Sequence, residues 1–461
     1  MDHLISETVF FKSMYQIKML KQLKPFFSYS RLLMVLGVSS LLLTSTRGFA
    51  QSSTSHSPYS QFGLGQIRED LLPQTRAMGG ISTGVRYVGG LPTLNIANPA
   101  SYAALSRTIL DAGLYGNITQ LEKNSAKDHT ADFAFSHITI AIPFGKAGGV
   151  SFGLMPFSDV GYNASVIRQF ENTPYKSSLV GEGGVNKAYL GYGVSPIKGF
   201  SIGANVGFLF GNLYDKAMIE FPQAAGFYNT VQTSTREIRG ASIDYGAQYF
   251  KALGNRLNFT IGYSGSLDNA IRNKTTSMVT LTQTNPNMSD GEQVAIDTTA
   301  FNLVSNRDVN LPLRHNVGFT VSKGVNWMVG ADFKYADWSK FQTREGEEKL
   351  GKNIGVAIGG QFKPDATSLK YLNVVDYRLG FRYNKSHITV DKQRLTDMAV
   401  TVGMGFPLSE TNFGRTFSSI NVSAEFGQHG TMKNNLIRER YINFNIGFTI
   451  NDAWFIRRSY D

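Results

Sequence analysis

Along residues 441–450, every even-numbered position is a large hydrophobe: Ile442, Phe444, Ile446, Phe448 and Ile450. The odd positions hold Tyr441, Asn443, Asn445, Gly447 and Thr449. Successive strand side chains point to opposite faces, so this stretch has one greasy face and one wet face. About ten residues is also what a tilted strand needs to cross bilayer hydrocarbon. The same alternation recurs from about residue 107 onward and predicts wall strands at 107–119, 132–144, 147–170, 186–196, 199–214, 237–251 and 255–280. It predicts seven more at 312–323, 325–337, 353–363, 373–385, 396–407, 416–428 and 439–451. Fourteen is an even number, as bacterial single-chain barrels require, and the fold class is an all-β transmembrane antiparallel β-barrel.

Short and long connections alternate. Gly145-Lys146-Ala147, 195–199, 252–255 and Lys323-Gly324 are short, whereas 171–185, 215–236, 281–311 and 338–352 are long. Short periplasmic turns and long outer loops are the barrel norm, which places the chain in an outer membrane with both termini periplasmic. The third run is irregular. Gly148 to Tyr162 is strand-like on both sides of Pro156, with Gly153 and Gly161 nearby. Proline removes a ladder donor and glycine invites a bulge, so this run predicts a kink or gap in the wall. A tight turn at Pro156 is the other reading, but it gives an odd strand count.

Residues 63–105 do not alternate. They are rich in glycine, proline and small residues, including Arg76-Ala77-Met78-Gly79-Gly80 and Gly89-Gly90-Leu91-Pro92. Asn98-Pro99 reads as a turn into a short helical stretch at 100–105. Irregular backbone is not viable against lipid, so this segment belongs in the periplasm or inside the lumen. The expected organisation is therefore a lead-in and hatch at 51–106, a barrel at 107–451 and a periplasmic tail at 452–461.

Composition sharpens this picture. Glycine (47 residues) and aromatics (12%) are abundant and charged residues make up only 17%, as in a barrel whose lumen-facing positions dilute its lipid-facing ones. No cysteine is present, which removes disulfides, thiolate metal sites and Cys nucleophiles. Lys18, Lys21, Lys24 and Arg31 precede an apolar run at 32–43 and the small residues Gly48 and Ala50, so residues 1–50 read as a cleaved signal peptide. Without those residues, the formal charge of +11 falls to +7. The remaining charges are scattered, with no basic stripe for nucleic acid, and suit attraction to outer-membrane lipid and lipopolysaccharide.

The seven histidines, among them His137 on the second strand, show no ligand spacing, and no phosphate-binding or EF-hand pattern occurs. Gly262-Tyr263-Ser264-Gly265-Ser266 begins like a nucleophile elbow but lacks the final glycine. Neither an enzyme nor a cofactor or metal site is expected. Trp338, at the outer end of a strand, reads as an aromatic anchor at the membrane interface, with a ligand-contacting role as the alternative. Trp454 and Phe455, followed by Arg457 and Arg458, read as a periplasmic interface anchor.

Three elements together resemble the FadL/TodX-type outer-membrane transporters of hydrophobic compounds. They are Arg76-Ala77-Met78-Gly79-Gly80, Asn98-Pro99-Ala100 before the first strand, and 332–341 with its Asp332-Phe333-Lys334-Tyr335 start. The tail from Asn451 to Arg458 is similar to versions found in Bacteroidetes-type bacteria. The resemblance implies that the hatch, with Arg76, Gly79, Gly80, Asn98, Pro99 and Ala100, plugs the lumen. It also implies passive uptake of hydrophobic small molecules, such as long-chain fatty acids or aromatic hydrocarbons, leaving sideways near Gly153, Pro156, Phe157, Asp159 and Gly161. Insertion would use the barrel-assembly machinery. A non-transporting scaffold, or a partner of an envelope protein-secretion system, is the alternative.

Overall fold

The computed structural model describes residues 57–221, 227–284, 293–341, 350–408 and 417–452. The expected signal peptide, the lead-in before Ser57, and the anchors Trp454 and Phe455 lie outside the described residues.

The hatch region contributes three two-residue strands, β1 (Gln66–Ile67), β2 (Tyr87–Val88) and β3 (Leu91–Pro92). The wall then begins with β4 (Thr108–Lys123), β5 (Ala126–Pro143), β6 (Gly149–Phe170), β7 (Thr173–Ile197), β8 (Phe200–Glu220), β9 (Asn229–Gly254) and β10 (Leu257–Ser266). A hairpin follows, β11 (Ala270–Thr284) and β12 (Gln293–Asn310). The wall resumes with β13 (Leu313–Lys323), β14 (Trp327–Asp337), β15 (Lys352–Phe362), β16 (Asp376–Val390), β17 (Gln393–Pro407), β18 (Phe417–Gly430) and β19 (Arg438–Asp452).

Neighbouring wall strands pair antiparallel, β10 pairs β13, and β19 pairs β4 from Arg438–Glu122 to Asp452–Thr108. The ring β4 to β10 plus β13 to β19 is thus closed and fourteen-stranded, as the alternation predicts. Closure gives the wall strands partners within the wall at every seam but the far part of β5–β6, the condition for strands in hydrocarbon. In β19, Phe444, Ile446 and Phe448 are exposed on the outer face, whereas Tyr441, Asn443, Asn445 and Thr449 are buried inside. The same outward apolar set recurs around the ring, for example Leu190, Val206, Phe208, Ile358 and Leu379.

Three expectations need correction. The run 255–280 is not one strand: β10 stops at Ser266, and β11 pairs instead with the far half of β9 and with β12. The region 281–311 is largely strand β12 rather than loop. Likewise, β6 and β7 meet at a two-residue turn, residues 171–172, so 171–185 is not a loop. The reason is physical. A ladder satisfies its own backbone and can continue past the bilayer, where both faces become polar and the lipid-side alternation disappears.

The segment before β4 runs through the inside of the ring. At the end carrying the long hairpins, the Tyr59 hydroxyl donates to the Ile437 carbonyl (2.7 Å), beside the β18–β19 turn. Burial pushes this phenol up to about 12, so it remains a neutral donor. At the opposite, short-turn end the Tyr102 ring is fully buried with Leu105, Ile109 and Ala141. The described chain therefore begins at the loop end and finishes, at Asp452, at the turn end, where the sequence reading placed both termini together.

Wall glycines allow the close approach. A Cβ on Gly203 would lie 2.5 Å from the Pro99 carbonyl carbon, and one on Gly359 would lie 2.1 Å from the Met78 carbonyl oxygen. Gly203→Ala should therefore loosen the hatch by roughly 1–3 kcal/mol. Hydrogen exchange in residues 95–105 should accelerate while heat-modifiable migration of the folded barrel persists; unchanged exchange would contradict this packing.

Candidate functional site: a slot in the wall closed by a hatch strand

One seam of the wall is left unpaired over much of its length among the described residues. Strands β5 and β6 pair only from Pro143–Gly149 to Ile138–Leu154. Beyond Leu154, β6 continues for sixteen residues, to Phe170, with β7 on one side and no wall strand on the other. Gly153 is the penultimate shared rung, opposite Thr139, and is packed so closely that a Cβ would meet the Ile138 carbonyl oxygen at 2.5 Å. Pro156 pairs with Asn186 and Ser158 with Val185, which leaves Phe157 as an extra, bulged residue. A bulge re-aims a strand and increases its local twist, which accounts for β6 leaving β5 here. The run is one bulged strand, not two strands with a turn at Pro156.

The exposed edge is not left bare. Hatch strand β1 adds to it antiparallel, Gln66 opposite Asp159 and Ile67 opposite Ser158. The Arg68 N–H donates to the Phe157 carbonyl (2.9 Å). The Ser60 hydroxyl donates to the Gly161 carbonyl (3.0 Å) and accepts from the Gly161 N–H (3.0 Å). The Arg68 guanidinium forms an ion pair with Asp159 and lies 4.1 Å from the centre of the Tyr115 ring. Residues 60–68 thus supply the hydrogen bonds that β5 withholds. Phe157, Asp159 and Gly161 all meet the hatch at this slot.

The remaining hatch residues lie deeper. Asn98 is fully buried and caps the 3-10 turn Pro99–Ala104: its Oδ1 accepts from the Ala100 N–H (3.2 Å) and its Nδ2 donates to the Thr83 carbonyl (2.7 Å). Pro99 and Ala100 lie against Gly203. The Gly79 N–H donates to Thr401 Oγ1 (2.7 Å), and the Gly80 carbonyl accepts from Lys334 (3.1 Å). Arg76 donates to the carbonyls of Leu71 (3.1 Å) and Glu69 (3.0 Å) and faces Glu425 at 3.8 Å. Asp332 holds the loop at Ser82-Thr83 through two backbone N–H groups, at 2.7 and 2.8 Å.

Several functional side chains escaped the sequence reading. Lys187, 1% exposed on β7, donates to Asp70 of the hatch and to Asp244 of β9, each at 2.7 Å. Arg314 reaches the same Asp244 at 2.9 Å. Such a cluster is stable only because each charge is paired. Its sequence signal, Arg68-Glu69-Asp70 within an otherwise apolar segment, was visible, but its partners lie more than a hundred residues away.

A cavity of about 260 Å³ separates hatch and wall near the slot. Phe157, Ile67, Leu311 and Trp338 give it apolar surface, while Arg68, Lys187 and Arg382 give it charge. Trp338 is therefore not a lipid-interface anchor. It is 4% exposed, stacked on His387 (ring centres 4.6 Å apart) and edge-on to Phe341 (5.3 Å). The chain turns inward directly after β14, carrying the indole with it. His137 is buried inside the wall, with Nε2 2.7 Å from Asp111. Among the described residues no group of side chains is suited to holding a metal.

Solved structures share this architecture. The Pseudomonas putida toluene transporter TodX aligns over 84% of this chain and 99% of its own, with a TM-score of 0.52 and 16% identity. A Pseudomonas aeruginosa FadL homologue aligns over 85% of this chain and 100% of its own (TM-score 0.53, 10% identity). The Ralstonia pickettii toluene transporter TbuX aligns over 84% of this chain and 99% of its own (TM-score 0.51, 12% identity). At these identities the likeness establishes the fold, a FadL-type outer-membrane barrel. A search of curated protein sequences finds no match. A family model described as BamG, however, matches residues 33–461, which is all of the expected barrel and hatch and the last part of the expected signal region, and the chain belongs to the BamG family.

Proposed function

We propose that this barrel passes small hydrophobic molecules from its loop-end cavity sideways, through the β5–β6 slot, into the bilayer. One observation carries the reading: the wall ladder stops at Leu154, and the gap is closed by a short strand of the hatch rather than by the wall. Two backbone rungs, the Ser60 and Arg68 hydrogen bonds and one ion pair are a small closure compared with the nine or more rungs of the other seams. Its release would open a path from cavity to hydrocarbon without crossing water. The proteins of like fold include toluene transporters, which supports an apolar cargo. Size favours a compact one. A dry cavity of about 150 Å³ holds benzene, whereas drug-sized ligands occupy roughly 300–1,000 Å³. The cavity of about 260 Å³ therefore fits a single aromatic ring better than a long acyl chain. In the membrane, short turns face the periplasm and long hairpins face outward.

A second reading rests on the family. Its label, BamG, associates it with the barrel-assembly (Bam) machinery, and a hatch pinned by buried ion pairs suits a barrel that stays shut and serves as a partner there. Stoichiometric co-purification with that machinery, together with unchanged hydrocarbon uptake in a deletion strain, would decide for this reading.

The lateral route has a direct test, because the chain has no native cysteine. Ile67 and Ser158 sit directly opposite each other in a narrow, non-hydrogen-bonded pair, the geometry in which side chains approach most closely. In the double variant Ile67→Cys/Ser158→Cys, oxidation should reduce uptake of labelled toluene at least tenfold and reduction should restore it. Equal uptake by the oxidised and reduced forms would remove the lateral route.

The hatch anchor makes a separate prediction. Lys187→Met leaves the carboxylates of Asp70 and Asp244 without their ammonium, a loss of about 3 kcal/mol or more in hatch seating. Planar-bilayer recordings should then show conductance events that the wild-type protein lacks. A silent variant would mean that the hatch is held by its packing alone.

A further inference from the structure

We infer that the part of β6 beyond the hatch is a docking edge for an extended segment of a partner polypeptide, outside the bilayer. Residues 164–170 pair with β7, from Ala164–Leu179 to Phe170–Thr173, and have no strand on their other side among the described residues. The direction of the free groups follows from the hatch contacts. Gly161 turns both its N–H and its carbonyl to Ser60, away from β7. No register shift follows between Gly161 and Phe170, so Ser165, Ile167 and Gln169 present their donors and acceptors on the same open side.

Natural edge strands are kept short, bulged, charged or interrupted by proline to avoid pairing. This one has only a single charge as protection. Ala164-Ser165-Val166-Ile167-Arg168-Gln169-Phe170 contains one charge and neither glycine nor proline. Ile167 is 77% exposed, and Val166 and Phe170 are exposed as well. Lipid does not explain these apolar side chains. Ile167 lies thirteen residues past Leu154, about 43 Å along the strand and roughly 30 Å of rise at a 45° tilt, whereas the apolar band is only about 25 Å tall. An aromatic group closes the same tip, with Tyr175 5.9 Å from Phe221 and Phe221 4.9 Å from Phe227.

The occupant is indicated by continuity. A few residues below, the same edge already accepts an antiparallel strand, β1, through the very groups a ladder requires. A second copy joined β6 to β6 does not fit. Two upright barrels in one membrane are related by an axis along its normal, so their β6 strands run the same way and cannot form an antiparallel ladder. A foreign extended segment with apolar side chains on one face meets the edge, its exposed apolar side chains and the aromatic tip together.

The test uses the full-length protein in nanodiscs and a capped octapeptide of alternating threonine and valine. At millimolar peptide, hydrogen exchange at Ser165, Ile167 and Gln169 should slow at least fivefold, and a version with two central prolines should have no effect. Ile167→Pro removes an edge-facing donor but no β6–β7 bond, and should weaken peptide binding at least tenfold while the barrel keeps its heat-modifiable migration. Gln169→Pro serves as the independent second variant. Absence of protection at saturating peptide, or binding by both proline variants as tight as that of the wild type, would overturn the inference. Protection that rises with protein concentration alone would assign the edge to a neighbouring copy and overturn it equally. None of these outcomes depends on whether the barrel transports anything.

Discussion

A backbone hydrogen-bond donor or acceptor placed in hydrocarbon must have a protein partner, and the rest of this structure follows from that requirement. It accounts for the closed ring of fourteen strands, with β19 returning to β4. It also explains why the departure of β6 from β5 is tolerated. The groups exposed by the bulge at Phe157 are taken up by Ser60, β1 and Arg68, all from a segment that contributes nothing to the wall elsewhere. The hatch is therefore part of the wall's hydrogen bonding at one place and the filling of its interior everywhere else.

Inside, the charged and amide side chains that meet the hatch are paired individually. Lys187 between Asp70 and Asp244, Asp332 beneath Ser82 and Thr83, and Asn98 between Thr83 and Ala100 fix the hatch at three levels. Paired charges of this kind add little net stability compared with apolar packing, yet leaving one unpaired is costly. They thus specify one seating of the hatch more than they strengthen it. The glycines of the wall serve the same end from the other side, because the hatch backbone comes too close for a Cβ at Gly203 or Gly359.

The wall was legible in the sequence because lipid imposes a period of two on every strand that touches it, as Phe444, Ile446 and Phe448 show. Where lipid ends, so does the signal. The β11–β12 hairpin stands outside the fourteen-strand ring, and β12 carries no sustained apolar alternation to distinguish it from a loop. The bulge was foreshadowed by Pro156 and its flanking glycines, since these residues disturb a ladder wherever they stand. Trp338 was misplaced because an aromatic at a strand end has the same local pattern whether it turns outward to lipid or inward to His387. The segment that closes the slot, Gln66-Ile67-Arg68, had no local mark at all: its role is defined by β6, ninety residues later.

The path of the hatch also bears on how the molecule is assembled. It enters at the loop end, descends the whole interior and passes directly into β4, one of the two strands that form the closing seam. Its contacts reach β6, β7, β8, β13, β15 and β17 around the circumference. The ring therefore cannot settle to its final girth with this segment elsewhere. Residues 57–107 thus fill the ring that β19, the last wall strand in the sequence, closes against β4.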